Sequence, residues 1–298
     1  MTLEGQTAIV TGGAVGLGRA FAADLVRAGV EVTICDIRED VREAAASLST
    51  EGASVEGVLA DVSQPADVSR VVDGVISRSG RVDILINNAG VLRLTDARDP
   101  LDKSIDDFDY QIATNLKGVF LFGRAVAPQM VKQGGGHIVN IATDHMHNCG
   151  WPDQVSHADA PGCMFANERR RPGWHGMDVY DASKWALNGL THAWALTLRE
   201  HGVRVNNLCM GAAESPMMRA TWAALTGVDD ETLSGPEHEE TIAAWLKPGD
   251  VSRVLMELLE EGPDGRSGDN VGVWVGHPAT LPPPSQILNV PPSKDDGA

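Results

Sequence analysis

Two short patterns in this chain could do chemistry together: Tyr180 with Lys184, and the glycine-rich run of residues 11–18. A spacing of four residues places Tyr180 and Lys184 on the same face of a helix. The ordinary pKa of a phenol is about 10, which suits proton transfer at neutral pH poorly. Because a nearby cation favours the phenolate, we expect Lys184 to lower the pKa of Tyr180 and make it a general acid and base.

The glycine-rich run, TGGAVGLG, stands between an apolar strand-like segment and a helical pattern. In that context Gly12, Gly16 and Gly18 would let the backbone turn tightly against a pyrophosphate, at which the helix N-terminus directs its free N–H groups. Asp36 ends the next strand-like segment, where a carboxylate can accept the ribose hydroxyls of NAD and repel the 2′-phosphate of NADP. Arg38 could soften that repulsion. The two patterns together predict a nicotinamide-dependent oxidoreductase that prefers NAD to NADP.

Composition narrows the possible partners. The 298 residues carry a formal net charge of -17, which argues against nucleic acid or an anionic membrane as a partner. No apolar run approaches the roughly 20 residues needed to cross a bilayer, and the N-terminus does not resemble a signal peptide. We therefore expect a cytoplasmic protein whose four cysteines, Cys35, Cys149, Cys163 and Cys209, form no disulfide.

Strand-like and helical segments alternate through the first two hundred residues. This order predicts right-handed βαβ units and a doubly wound parallel α/β sheet. The strands are expected at 7–11, 31–36, 54–60, 82–87, 137–143 and 203–209, with a seventh at 271–275. The helices are expected near 16–29, 39–51, 65–79, 105–133 and 178–201. No linker divides the chain, so we expect one domain over residues 1–298.

These motifs resemble the short-chain dehydrogenase/reductase family, in its compact branch, from about residue 3 to residue 276. The glycine run matches the family's TGxxxGxG, residues 87–90 match its NNAG motif, and Tyr180 with Lys184 matches its YxxxK. Residues 210–217 align with the loop that holds the nicotinamide carboxamide, with Met210 in place of the usual Pro and Ser215 in place of the usual Thr. The resemblance implies a Rossmann-type seven-stranded sheet and a homotetramer or homodimer.

The resemblance also implies roles for individual residues. The catalytic set would be Asn115, Thr143, Tyr180 and Lys184, with Asp61 and Val62 contacting adenine. The residues implied to bind the cofactor are Gly12, Val15, Gly16, Leu17, Gly18, Asp36, Ile37, Asp61, Val62, Asn88, Ala89, Gly90, Tyr180, Lys184, Gly211, Ala213 and Ser215.

Thr143 departs from the family pattern, because it stands where the family has a catalytic serine. A threonine hydroxyl can make the same hydrogen bonds, although its methyl group stiffens the side chain and narrows the pocket. We therefore expect oxidation of a secondary alcohol or reduction of a ketone. Two alternatives remain: a dehydrogenase of a bulky cyclic or aromatic-ring alcohol or diol, and a non-catalytic redox sensor. Sugar-nucleotide epimerisation is disfavoured by the glycine spacing.

Residues 144–179 form an insertion that is much longer than the corresponding stretch of the family. Because it leaves the edge of the sheet where ligands bind, we expect a substrate lid; a subunit contact or surface loop is the alternative. The residues expected to contact substrate are His145, Met146, Trp151, Trp174 and Met217. The histidines and cysteines here match no zinc spacing, so we expect no metal. The segment 169–171, three arginines, could attract an anionic substrate or form a solvated turn.

Two further segments complete the prediction. Residues 216–247 correspond to the mobile substrate loop of the family and would form the second wall of the pocket. Residues 281–298 are rich in proline and predict an extended C-terminal tail.

Overall fold

A computed structural model describes residues 2–49, 54–144, 148–149, 176–228, 233, 235, 238–273 and 279–280. The strands are β1 (Thr7–Thr11), β2 (Glu31–Asp36), β3 (Val55–Leu59), β4 (Ile84–Asn87), β5 (Gly136–Thr143), β6 (Asn148–Cys149), β7 (Val203–Met210), β8 (Asn270–Val273) and β9 (Ala279–Thr280). The helices are α1 (Gly16–Arg27), α2 (Val41–Leu48), α3 (Pro65–Ser79), α4 (Leu101–Ile112), α5 (Val119–Gln133), α6 (Asp178–Leu198), α7 (Pro216–Thr226), α8 (Glu239–Ala243) and α9 (Pro248–Glu260).

Seven strands form a parallel sheet in the order β3-β2-β1-β4-β5-β7-β8. Apolar runs in β1, β2, β4, β5 and β7 are buried almost throughout, as expected for strands covered on both faces. The order reverses direction at β1 and β4, and a doubly wound sheet binds ligands at such a point, beyond the carboxyl ends of the strands. The predicted fold class is therefore confirmed.

Helices cover both faces of this sheet. On one face, Phe21 and Leu25 of α1 and Leu255 of α9 belong to one buried apolar cluster. On the other face, Val71 of α3 and Phe122 of α5 belong to a second cluster. The side chains of successive strand residues point to opposite faces, so each buried strand contributes to both layers.

A row of asparagines crosses four neighbouring strands at one level of the sheet. Asn87, Asn140, Asn207 and Asn270 are partners in successive strand pairs. Asn87 donates to Asn140 at 2.8 Å and Asn207 donates to Asn270 at 2.7 Å, while Thr191 of α6 bridges Asn140 and Asn207. A one-residue slip would break these bonds and leave buried polar groups unpaired, so the row favours one register and fixes α6 on the sheet.

The structure corrects two expectations about helices and adds one helix that was not expected. The pattern over 105–133 is two helices, α4 and α5, joined by a π-helical segment at Ala113–Gly118. Residues 216–247, expected as a loop, begin with helix α7 and include α8. The helix α9 was not predicted, although Val251, Leu255 and Leu258 recur at helical spacing. The seventh strand is Asn270–Val273 within the described part of the chain, and the expected tail at 281–298 lies outside it.

None of the helices in the described residues is long and apolar enough to span a bilayer.

Candidate active site

A cleft of about 710 Å³ opens at the carboxyl ends of the parallel strands. Its walls include residues that follow β1, β2, β4, β5 and β7, together with Tyr180 and Lys184 of α6 and residues of α7. One continuous space therefore joins the glycine-rich turn to the tyrosine–lysine pair.

The glycine turn requires glycine at three positions for two physical reasons. Gly12 has a φ of 63° and Gly16 a φ of 58°, in the left-handed region that other residues rarely adopt. At Gly18 an added Cβ would lie 2.1 Å from the carbonyl oxygen of Gly12. The turn leads into α1, which begins at Gly16. The N-cap residue of this helix, Val15, makes no side-chain hydrogen bond to it. Within the described part of the chain no side chain therefore caps the first N–H groups of α1, as an anion site at a helix N-terminus requires.

The loop after β4 is tied to this turn by hydrogen bonds. The hydroxyl of Thr11 accepts from the backbone N–H groups of Asn88 and Ala89, both at 3.0 Å. The side-chain amide of Asn88 donates to the carbonyl oxygens of Thr11 and Gly12, also at 3.0 Å. Thr11 was not singled out from the sequence, although it opens the TGxxxGxG run. It fixes the two loops that form the floor of the cleft.

Asp36 lies in the cleft wall at the end of β2 and is largely buried. Its carboxylate accepts from the backbone N–H of Ala14 at 3.1 Å and from that of Arg38 at 3.1 Å. The guanidinium of Arg38 makes two bonds with the carboxylate of Asp40, at 2.9 and 2.6 Å. The structure thus places the carboxylate of Asp36 beside the glycine turn, and it pairs the nearby guanidinium of Arg38 with Asp40.

Lys184 is buried in α6, and its ammonium group donates to the carbonyl oxygen of Ile141 at 2.8 Å. The Nζ atom lies 5.9 Å from the ring centroid of Tyr180. Burial lowers the pKa of Lys184 to about 8, because desolvation disfavours the charged form. The expected same-face arrangement of the two side chains is present.

The expected direction of the Tyr180 pKa is wrong for the chain alone. Burial raises the pKa of Tyr180, the charges of Asp144 and Asp181 raise it further, and a hydrogen bond with Thr143 lowers it. Burial is the largest of these causes, and the carboxylate at the end of β5 comes next, while the ammonium group of Lys184 donates to a backbone carbonyl.

Asn115 lies in the π-helical segment and has no exposed surface. Its side chain accepts from the N–H of Val91 at 2.8 Å, and donates to the carbonyl oxygen of Val91 at 2.9 Å and to the hydroxyl of Ser183 at 3.0 Å. An added Cβ at Gly90 would lie 3.5 Å from both the Asn115 side-chain oxygen and Lys184 Nζ. Asn115 therefore connects the loop after β4 to α6, and π-helical turns often mark functional sites.

The opposite wall of the cleft is mainly apolar. Ser215 caps α7 by accepting from the N–H of Met218 at 3.1 Å. The rings of Trp222 and Trp245 meet edge to face, with centroids 6.3 Å apart and planes at 73°. Met217, Met218 and both tryptophans line the cleft.

Most of the predicted site residues come together in this cleft. Those that line it are Gly12, Val15, Gly16, Leu17, Asp36, Ile37, Asp61, Val62, Asn88, Ala89, Gly90, Thr143, Tyr180, Lys184, Gly211, Ala213, Ser215 and Met217. Gly18 and Asn115 are packed behind the wall instead. His145, Met146, Trp151 and Trp174 lie outside the described residues, as do the three arginines at 169–171. Asp144 lines the cleft but was not among the predicted site residues, although it directly follows a strand end at the ligand-binding edge.

Known proteins resemble this chain over most of its length. The family profile described as "short chain dehydrogenase" matches residues 6–152 and 170–226. Oxidoreductase UcpA of Escherichia coli (strain K12) is 31% identical over 260 residues, which cover 87% of this chain and 86% of that protein. Sorbitol-6-phosphate 2-dehydrogenase of Klebsiella pneumoniae is 30% identical over 280 residues, with 90% and 86% covered.

A solved structure supports the same relationship. The protein from Beutenbergia cavernae, described as a candidate NAD(P)-dependent gluconate 5-dehydrogenase, holds NADP at low occupancy. It is 28% identical to this chain with a TM-score of 0.69, and the match covers 92% of this chain and 96% of that one. The family to which these similarities point comprises oxidoreductases that bind NAD(P) and act on small alcohols and ketones. The present chain belongs to the short-chain dehydrogenase/reductase family.

Proposed function

We propose that this protein is an NAD-dependent oxidoreductase that interconverts a secondary alcohol and a ketone, with Tyr180 as the general acid and base. The observation that carries the proposal is the convergence of Thr143, Tyr180 and Lys184 in the cleft that also holds the glycine-rich turn. Proton-transfer groups and a dinucleotide site in one cleft suit hydride transfer, in which a proton moves with each hydride.

The residues present fit a dinucleotide. Gly18 leaves no room for a Cβ, and the first turn of α1 has no side-chain cap. Its N–H groups would hold the pyrophosphate, Asp36 the adenosine ribose, and Asp61 with Val62 the adenine. When bound, the nicotinamide supplies or accepts the hydride at its C4 carbon. The preference for NAD is supported by Asp36, because a carboxylate opposes a 2′-phosphate, and by the pairing of Arg38 with Asp40.

The chain's own residues would handle the proton. Tyr180 would donate its hydroxyl proton to a ketone oxygen or accept one from an alcohol, and Thr143 would hydrogen-bond the same oxygen. Lys184, fixed by Ile141, would orient the nicotinamide ribose. Asn115 would hold a water on the route between Lys184 and solvent.

A second candidate, oxidation of a bulky ring alcohol or diol, has a specific observation in its favour. Trp222 and Trp245 present an edge-to-face aromatic pair on the cleft wall, with Met217 and Met218 beside it. Large aromatic walls favour large apolar ligands, since each ring buries considerable apolar area.

Assembly into a homo-oligomer is part of the proposal. Large apolar side chains are exposed on α4, α5 and α6: Leu101, Ile105, Phe108, Phe120, Trp185 and Leu196. Contiguous exposed apolar surface commonly marks a protein contact. Sedimentation equilibrium tests this, and a monomer at micromolar concentration would contradict it.

The experiment that tests the activity is a spectrophotometric screen of nicotinamide absorbance. It offers NAD and then NADP with acyclic secondary alcohols, cyclic alcohols, aromatic-ring alcohols and carboxylate-bearing alcohols, and the matching ketones with reduced coenzyme. We expect turnover with NAD, fastest on ring compounds. Binding of NAD without turnover of any compound would instead support a redox sensor and contradict the enzyme proposal.

A further inference from the structure

A buried carboxylate adjoins the reaction centre without an assigned role. Asp144 directly follows β5, is only 6% exposed, and lines the cleft. One of its oxygens accepts from the hydroxyl of Thr143 at 3.3 Å. Its other oxygen faces the residue after β7, because an added Cβ at Gly211 would lie 3.2 Å from it. The carboxylate is therefore held between two strand ends, at the edge of the sheet where the proposed chemistry takes place.

Asp144 is coupled to Tyr180 through Thr143. The hydroxyl of Thr143 bonds to Asp144, and the Thr143 side chain also forms a hydrogen bond with Tyr180. Through these contacts the negative charge of Asp144, which is itself buried, opposes the formation of a second negative charge on the half-buried Tyr180. Burial comes first, and then the charge of Asp144, among the causes that raise the pKa of Tyr180.

Other charged groups face Tyr180 from the described elements packed around it. Asp181 lies on the same helix and is half-buried, so solvent screens its charge more than that of Asp144. Lys184 is 5.9 Å from the ring centroid and donates to Ile141. On β7, burial raises the pKa of Cys209 to about 12, so its side chain is a neutral thiol at neutral pH. Within this set, Asp144 is the most buried anion.

We propose that Asp144 is a positioning residue whose carboxylate holds the proton on Tyr180, so that at neutral pH the site favours ketone reduction over alcohol oxidation. This inference rests on the proposed role of Tyr180 as general acid and base. In reduction, hydride adds to the carbonyl carbon, the C=O π bond opens, and the phenol gives its proton to the oxygen; solvent then reprotonates Tyr180. Oxidation runs in reverse and needs the phenolate first, so a carboxylate nearby slows it at neutral pH. The overall equilibrium is unchanged.

The composition of the chain allows a direct test. It has two tyrosines, so Tyr110→Phe leaves Tyr180 as the only group that gives a tyrosinate signal. The near-ultraviolet absorbance of tyrosinate is measured as the pH is raised, with NAD present at a saturating concentration. The measurement covers the pH range in which circular dichroism shows that the protein is folded. Tyr110→Phe alone is compared with Tyr110→Phe/Asp144→Asn. Asparagine keeps an oxygen for Thr143 and removes the charge; Asp144→Ser is a second uncharged variant.

We expect loss of the Asp144 charge to lower the midpoint of the Tyr180 titration by about 1 pH unit or more, as for other closely spaced charges. Asp181→Asn in the same background is the matched control and should lower it less. The double variant Tyr110→Phe/Tyr180→Phe gives the baseline without tyrosine. Equal midpoints with and without Asp144, or a larger effect of Asp181→Asn, would overturn the proposal.

A kinetic readout separates this inference from the proposed function. With the best ketone of the screen, kcat/KM for reduction should begin to fall at lower pH in Asp144→Asn. The oxidation rate near neutral pH should rise by up to about ten-fold for each unit by which the midpoint falls, because more phenolate is present although it is a weaker base. An unchanged pH profile in an active variant overturns the role of Asp144 alone. If no substrate is turned over, the proposed function fails, and the tyrosinate titration still decides whether Asp144 controls the proton on Tyr180.

Discussion

Substitution of Gly18 by alanine tests the geometry of the dinucleotide turn. The new methyl group would lie 2.1 Å from the Gly12 carbonyl oxygen and 2.5 Å from the Asn88 side-chain nitrogen, more than 1 Å short of an ordinary contact to the carbonyl oxygen. The first neighbour is backbone, so the turn or the start of α1 must move. Overpacking of this kind costs about 1–3 kcal/mol. Alanine has a higher helix propensity than glycine, which offsets up to about 1 kcal/mol of this cost. Loss of the Asn88–Gly12 hydrogen bond adds about 1 kcal/mol.

We therefore expect Gly18→Ala to lower the free energy of unfolding by about 1–3 kcal/mol, measured by urea denaturation followed by circular dichroism. Because the same shift displaces the N–H groups at the start of α1, the Kd for NAD, measured by calorimetry, should rise about ten-fold or more. The matched control is Gly74→Ala, which adds a methyl group to an exposed position of α3 with nothing within 4 Å. That change should stabilise the protein by up to about 1 kcal/mol and leave NAD binding unchanged.

Unchanged stability and unchanged NAD affinity in Gly18→Ala would refute this reasoning. A loss of stability equal in both variants would refute it as well, because the steric conflict is local to the turn.

Two further predictions concern charge. Asp36→Ala should raise the Kd for NAD about ten-fold or more, since hydrogen bonds to a charged group contribute about 1.5–3 kcal/mol, and should affect NADP less; an unchanged ratio of the two Kd values contradicts the assigned role. Burial and the charge of Arg204 hold the pKa of His137 well below its ordinary value. The unfolded chain therefore binds a proton that the folded chain does not, so stability is fully present above about pH 6.5 and falls by up to about 1.4 kcal/mol per pH unit below it. His137→Gln should flatten that dependence in urea titrations; an unaltered slope would contradict it.

Local patterns predicted much of this fold. The bounds expected for β1 and β2, 7–11 and 31–36, agree with the structure, since each is a short apolar run bounded by turn residues. The helix at 248–260 has an amphipathic pattern, with Val251, Leu255 and Leu258 at helical spacing, so the local sequence contains enough information to predict it.

Other features depend on contacts between distant residues. In the π-helical segment, Asn115 forms hydrogen bonds with Val91 and Ser183. Helical periodicity in the sequence does not predict these contacts. Burial, and after it the charge of Asp144, raises the pKa of Tyr180, and Asp144 is far from it in sequence and approaches it only at the edge of the sheet. Spacing alone therefore predicts the position of Lys184 beside Tyr180, but not the burial and the carboxylate that raise the pKa of Tyr180 in the chain alone.

Tyr180 is proposed to transfer the proton in a dinucleotide-dependent reaction. Its most direct test compares the wild-type protein with Tyr180→Phe, measuring kcat on the best substrate of the screen and the Kd for NAD on the same preparations. General acid–base catalysis contributes about 10²–10⁴-fold. We predict that Tyr180→Phe lowers kcat by about 10²-fold or more, while its Kd for NAD stays within about two-fold of the wild-type value. Full turnover in Tyr180→Phe would contradict the account.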